Sequence, residues 1–194
     1  MAENLREVDH IKIDNMKKRI YPVLAVILLL TSAATYIASA PSYKIKDGYS
    51  IAFKSKDPSG EFKTMKGTVK FDENDLAGSK FELTFDVNSI STGNGMKNKK
   101  ALTAEWFDAG KYPQITYTST KIEKSGDDFN VYGTLKMKGV SKEKKVPMKV
   151  SGSGKELTFS GSFSVNRLDY KVGKKSDVVP DVMNITYSIP VSQN

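Results

Sequence analysis

Polar and apolar side chains alternate residue by residue through most of the chain beyond residue 40. Phe81, Leu83, Phe85 and Val87 stand between polar neighbours, and Phe129, Val131, Leu135 and Met137 do the same once Gly133 is counted as a gap. Leu157, Phe159, Phe163 and Val165 repeat the pattern around Gly161, and Ile185, Tyr187, Ile189 and Val191 close the chain with it. Successive side chains of a strand point to opposite faces, so a period of two predicts strands with one apolar and one polar face. Weaker stretches at residues 43–54, 61–71, 113–122 and 146–150 bring the expected total to about eight strands. Turn-forming clusters separate them: Asp57-Pro58-Ser59-Gly60, residues 72–78, Ser125-Gly126-Asp127-Asp128, and residues 151–154.

Strands of this kind bury their apolar faces by closing into a barrel or pairing into a sandwich. The expected class is therefore all-β and antiparallel, occupying residues 41–194 as one domain. An eight-stranded barrel is the size at which inward side chains either fill the interior or leave room for one small ligand. Residues 98–107 (NKKALTAEWF) alone keep a helical period, with Ala101, Leu102, Glu105 and Trp106 able to share a face and Pro113 following as a breaker. A short helix carrying the only tryptophan would serve as a lid on a barrel mouth; equally, Trp106 and Phe107 could pin a long connection to the core.

Residues 20–40 form an uncharged apolar run directly behind Lys17, Lys18 and Arg19. As a helix it would span roughly 31 Å, close to the ~30 Å hydrocarbon thickness of a bilayer, with the basic cluster on the cytoplasmic side. Ala38 and Ala40 in an A-x-A arrangement suit a cleaved signal peptide instead, although Pro41 disfavours cutting there and a cut after Ala34 is a second option. Met16 ahead of the basic cluster has the form of a translation start, which would make residues 16–40 a signal of ordinary length. Either reading, a cytoplasmic leader with a signal peptide or with a membrane anchor, places the domain in the periplasm or outside the cell.

Composition removes several chemistries. The 194 residues contain no cysteine, and the single histidine, His10, precedes the domain. Disulfides, thiolate metal sites, Ser-His-Asp triads and Cys-His pairs are thereby excluded from it. Carboxylate, lysine or tyrosine chemistry would remain, but pairs such as Asp127-Asp128 fall in turns and nothing in the pattern brings two carboxylates to one cavity, so no enzyme is expected. The net charge is +8, with lysines interleaved among acids and apolar residues. That distribution reads as a solvated lysine-rich surface, not a nucleic-acid site. Lys97, Lys99 and Lys100 make a short basic run beside the expected lid, with a solvated loop as its default role and phosphate or membrane contact as the sharper one.

Residues 88–120 (NSISTGNGMKNKKALTAEWFDAGKYPQITYTST) closely resemble the central signature of the YceI-like, or lipid and polyisoprenoid-binding, family. The recognisable parts are the Ser-Ile-Ser-Thr after a strand, the Trp-Phe-Asp segment, and Lys-Tyr-Pro leading into Ile-x-Tyr-x-Ser-Thr. Residues 67–72 (GTVKFD), Gly133-Thr134-Leu135 with Lys138-Gly139-Val140, and Val165-Asn166-Arg167-Leu168-Asp169 extend the likeness over nearly the whole domain, in order. The arginine motif continues Tyr170-Lys171 here, where the family usually has Phe-Gly. The resemblance implies an exported, lipocalin-like antiparallel barrel enclosing an isoprenoid-type lipid or quinone tail as cargo, with no cofactor or metal. A paired barrel, as a homodimer, is compatible with it.

The candidate ligand contacts are the inward-facing Phe81, Phe85, Ile115, Tyr117, Phe129, Val131, Leu135, Phe159, Phe163 and Tyr187, joined by Trp106, Phe107 and Arg167 near the expected mouth. Roughly half of the inward set is expected to be plain core, because small barrels consume most inward positions in closing. The aromatics offer large rigid area, and the tyrosines a hydroxyl for a polar head. Buried, Arg167 would need a carboxylate such as Asp169 or Asp181, and a pinned ion pair is its plainer role. The competing reading of the domain is a non-catalytic envelope interaction module whose barrel is filled by its own side chains.

Overall fold

A computed structural model describes residues 40–194. The leader, signal-peptide and anchor readings of residues 1–39 lie outside the described residues. The strands are β1 (Ser42–Ile45), β2 (Ser50–Lys54), β3 (Ser59–Phe62), β4 (Met65–Lys70), β5 (Lys80–Asp86), β6 (Ile90–Ser91), β7 (Gln114–Ser125), β8 (Asp128–Met137), β9 (Val140–Ser153), β10 (Glu156–Asn166) and β11 (Val182–Gln193). One helix, α1 (Gly95–Ala101), precedes β7.

The ring runs β1-β4-β5-β7-β8-β9-β10-β11, and β11 pairs back onto β1. Every pairing is antiparallel, giving a closed eight-strand barrel as the alternation predicts. Three of the eight positions are interrupted. The β2 strand continues β1 along β11, pairing Ile51 with Tyr187 after β1 has paired Ile45 with Val191. In the same way β3 precedes β4, and β6 follows β5 across a single 3₁₀ turn, with Phe62 opposite Ile90. The first two of these positions fall on stretches 43–54 and 61–71, where the sequence pattern is weak. Closure gives every strand of the ring a partner on both sides for at least part of its length, which limits the edge available for edge-to-edge association.

The ends of the barrel differ. At one end the β7–β8 and β9–β10 hairpins turn in two residues each, Ser125 pairing with Asp128 and Ser153 with Glu156. Phe71, Phe81, Phe129 and Phe159 meet there: Phe159 has ring centroids 5.1 Å from Phe81 and 5.2 Å from Phe71, and Phe71 lies 5.3 Å from Phe129, edge to face. Phe159 is 1% exposed, and burying such a ring contributes about 1.5–3 kcal/mol. This cluster is a packed floor. The opposite end carries the long segments 92–113 and 167–181 and forms the mouth.

The mouth also holds the β8–β9 hairpin, where Met137 pairs with Val140 across Lys138 (φ 47°) and Gly139 (φ 76°). Two successive positive φ values match the twist of a two-residue hairpin, and Gly139 takes one of them without strain. The helix corrects the sequence reading. It spans Gly95–Ala101, not residues 98–107, because the Asn94 side chain caps it by accepting from the Met96 and Lys97 amides. Beyond Ala101 the chain folds back, with the Phe107 amide donating to the Ala101 carbonyl and the Ala109 amide to Leu102, so Trp106 sits past the helix.

Candidate functional site

Above the aromatic floor the barrel is hollow. A cavity of about 370 Å³ extends from Phe81 and Phe159 up to Trp106, Arg167 and Val178 at the mouth. Its walls are inward residues of successive strands around the ring, among them Leu83, Ile115, Val131, Leu135, Val146 and Ile185. The volume falls in the ~300–1,000 Å³ range of sites that hold one small ligand, and so apolar a lining suits hydrocarbon.

Twelve of the sequence-predicted contacts line this space: Phe81, Phe85, Trp106, Phe107, Ile115, Tyr117, Val131, Leu135, Phe159, Phe163, Arg167 and Tyr187. Phe129 does not. It faces inward, but beside the β7–β8 turn, where Phe71 covers it as part of the floor. Alternation had not marked Phe53 and Phe62, which line the cavity near the mouth; Phe62 lies 5.9 Å from Phe53 and 5.9 Å, edge to face, from Phe107. Their signal was present as two phenylalanines flanking the Asp57-Pro58 turn. Val178 and Val179 also line the cavity from the segment after Arg167, which has no periodicity to read.

The two cavity tyrosines are tied to the wall, contrary to the expectation that their hydroxyls serve a ligand head. The Tyr117 hydroxyl donates to the Val131 carbonyl (3.0 Å), with the Lys144 carbonyl also in reach (3.3 Å). The Tyr187 hydroxyl donates to the Pro147 carbonyl at 2.7 Å. Burial pushes both phenols well above the ordinary tyrosine range. Pro147 needs this donor because the β9–β10 ladder ends at Lys149 and Ser160. Past that point the Lys144 ammonium bridges the two strands by donating to the Ser164 carbonyl, 5.7 Å from the Phe163 ring centroid.

Two basic side chains organise the mouth. Arg167, 3% exposed, donates through Nε to the Pro180 carbonyl (3.0 Å), through Nη1 to Val172 (2.9 Å), and through Nη2 to Val179 (3.0 Å) and the Asp181 carboxylate (3.1 Å). Asp181 is thus its carboxylate partner, whereas Asp169 pairs with Lys142 at 3.4 Å. Lys138 donates to the carbonyls of Ala104 (2.9 Å), Glu105 (3.0 Å) and Lys171 (2.8 Å), joining both mouth segments to the β8–β9 hairpin. Desolvation there lowers the Lys138 ammonium below the usual lysine range, against the opposing pull of Asp108 and Glu105.

Trp106 lies between these groups, its ring centroid 5.4 Å from the Arg167 guanidinium carbon and 5.8 Å from the Lys100 ammonium. Its indole N–H is the one buried side-chain polar atom among the described residues without a hydrogen-bond partner. A donor left bare at a cavity wall can be satisfied by an acceptor on a bound molecule. Across the mouth Lys97 of α1 reaches Asp57 at 2.6 Å, tying the helix to the β2–β3 turn. Among the described residues no group of three or more His, Cys, Asp or Glu is placed to hold a metal ion.

Known proteins match this chain in sequence and in fold. Protein YceI of Salmonella newport is 33% identical over 147 residues, covering 72% of this chain and 75% of its own length. A UPF0312 protein of Pectobacterium atrosepticum matches with the same identity and coverage. Among solved structures, Burkholderia cenocepacia BcnA superposes with a TM-score of 0.70 at 31% identity over 73% of this chain and 95% of its own. A polyisoprenoid binding domain from Saccharophagus degradans, implicated in plant cell wall breakdown, shares the fold with a TM-score of 0.61 at 14% identity, over 79% of this chain and 99% of that domain. The profile of the YceI-like domain matches residues 39–191, nearly the whole barrel, and the chain belongs to the YceI-like family.

Proposed function

We propose that the domain is a non-catalytic binding protein that holds one chain-like apolar lipid, of isoprenoid or quinone type, inside its barrel outside the cytoplasm. The observation that carries this reading is the apolar cavity running from the phenylalanine floor to the mouth. Each methylene buried there would contribute about 0.8 kcal/mol, so ten would supply on the order of 8 kcal/mol before ordering costs. A self-filled barrel would need the space above Phe81 and Phe159 to be packed, and it is not.

The polar end of the cargo belongs at the mouth, where the Trp106 N–H offers a donor to a carbonyl or other oxygen acceptor. With Tyr117 and Tyr187 bonded to backbone carbonyls, head-group selection rests on few contacts and affinity on the tail. The same two bonds support the non-catalytic reading, since they leave the cavity's phenols neither free nor acidic. The polyisoprenoid binding named for the Saccharophagus domain agrees with this cargo class. The extracytoplasmic assignment rests on residues 20–40, apolar behind three basic residues.

Native mass spectrometry with lipid extraction, on protein purified from an expressing bacterium, tests the reading. A stoichiometric polyprenyl or quinone species is expected. A protein that arrives empty and takes up no added isoprenoid would overturn it.

A further inference from the structure

Among the described residues, the exposed large hydrophobic side chains are Met96 (79% exposed), Val178 (71%) and Val182 (50%). All three belong to the mouth: Met96 to α1, whose Lys97, Lys100 and Ala101 line the cavity, and the valines to the segment that closes around Arg167 and enters β11. The floor end exposes none. Lysines flank these apolar tips along the chain. The α1 sequence GMKNKKA has three and no acid, and residues 171–178 contain Lys171, Lys174 and Lys175 against Asp177 alone. Two acids near the rim are already engaged, Asp57 with Lys97 and Asp181 with Arg167.

We infer that the mouth rim is a docking face for an anionic lipid bilayer, with Met96 and Val178 entering the interface and Lys99, Lys100, Lys174 and Lys175 contacting headgroup phosphates. Exposed apolar tips flanked by lysines match a bilayer interface in both respects, since the tips partition into the acyl boundary and each lysine near an anionic surface strengthens binding about fivefold. The geometry also gives docking a consequence. The tips stand on the segments that line the cavity, so a docked rim would set the opening against the membrane and let an apolar tail pass without crossing water. This step rests on the ligand-holding reading; the docking itself does not.

The strand ladders and hydrophobic core close within residues 42–193, so the test uses residues 40–194, free of the apolar segment that would itself partition into lipid. Co-sedimentation is measured with vesicles of equal parts phosphatidylglycerol and phosphatidylcholine, and with phosphatidylcholine alone. Binding to the anionic vesicles only is expected, and it should fall tenfold or more in Met96→Asp/Val178→Asp and in Lys99→Glu/Lys174→Glu. A floor-end control with the same charge change, Lys124→Glu/Lys155→Glu, should bind as the parent does. No binding to anionic vesicles, an unaffected apolar variant, or a floor control as weak as the rim variant would each overturn the proposal. Lipid content by native mass spectrometry, read on the same proteins, keeps the two readings apart: Lys99→Glu/Lys174→Glu, at residues outside the cavity lining, should retain co-purified lipid, and an empty barrel that still sediments would sink the cargo reading alone.

Discussion

Tyr187 stands directly opposite Gly161 across the β10–β11 ladder, and its ring passes over that glycine to place the hydroxyl 2.7 Å from the Pro147 carbonyl on β9. A Cβ at position 161 would lie 2.9 Å from the Tyr187 hydroxyl and collide with the Pro147 carbonyl oxygen itself. Gly133, which pairs with Ser119 and lies diagonally from Tyr117, is likewise covered by a tyrosine ring, with Tyr117 only 2.9 Å from a Cβ placed there. The two glycines that interrupt the inward alternation are therefore seats for the two cavity tyrosines. Gly161→Ala should destabilise the barrel by about 2–3 kcal/mol through overpacking against backbone, and Tyr187→Phe by about 1–2 kcal/mol through the lost bond to Pro147. Urea denaturation checks both, and an alanine at 161 that costs nothing would refute the seating.

The same tyrosines set an alkaline limit on stability. Their phenols are held above the ordinary value near 10, so over the range just above it the unfolded chain loses protons that the folded chain keeps. Stability from this source is complete below about pH 10 and falls as pH rises toward the folded values, each tyrosine steepening the loss by up to about 1.4 kcal/mol per pH unit. Denaturation midpoints measured on either side of pH 10 should show the decline. It should be shallower in Tyr187→Phe, and an unchanged slope in that variant would remove the explanation.

Arg167 is held mainly by backbone carbonyls, with Asp181 as one partner among four. Arg167→Lys keeps the charge but cannot span Pro180, Val172, Val179 and Asp181 together, and should cost about 3 kcal/mol. Asp181→Asn retains an oxygen acceptor at a side chain that is 31% exposed, and should cost about 1 kcal/mol or less. Thermal unfolding of the two variants ranks them. Equal losses would mean that the ion pair, and not the carbonyl set, is what holds the arginine.

Period-two alternation tells which way a side chain faces but not how high it sits in a barrel, and this difference separates what was legible from what was not. Phe81, Leu135, Phe159 and Phe163 were placed inside correctly because facing alone decides that. Phe129 faces in equally well, yet its pairing with Met148 puts it level with the floor, and the pairing depends on hairpin lengths elsewhere. The helix limits were missed for a local reason. Asn94 competes for the start by capping two amides, a signal weaker than the apolar spacing that drew the expected helix toward Trp106. The mouth was the least legible part, because Lys138 and Arg167 build it through backbone carbonyls, which every residue carries and no pattern marks.

Stability and ligand capacity should come apart at Ile185. This residue lies on β11 between Phe53 and Phe163, half-buried, with its side chain on the cavity wall. Ile185→Trp adds volume where there is space to receive it, so it should leave the urea midpoint unchanged or raise it while reducing bound lipid at least tenfold. Ile185→Ala enlarges the cavity and should cost about 2 kcal/mol, the lower end for buried truncations because the site is only partly packed, while keeping the lipid. If the cavity holds the cargo, native mass spectrometry will show the more stable variant empty and the less stable one loaded. Lipid lost from both in proportion to stability would mean that binding follows the integrity of the fold and that the site lies elsewhere.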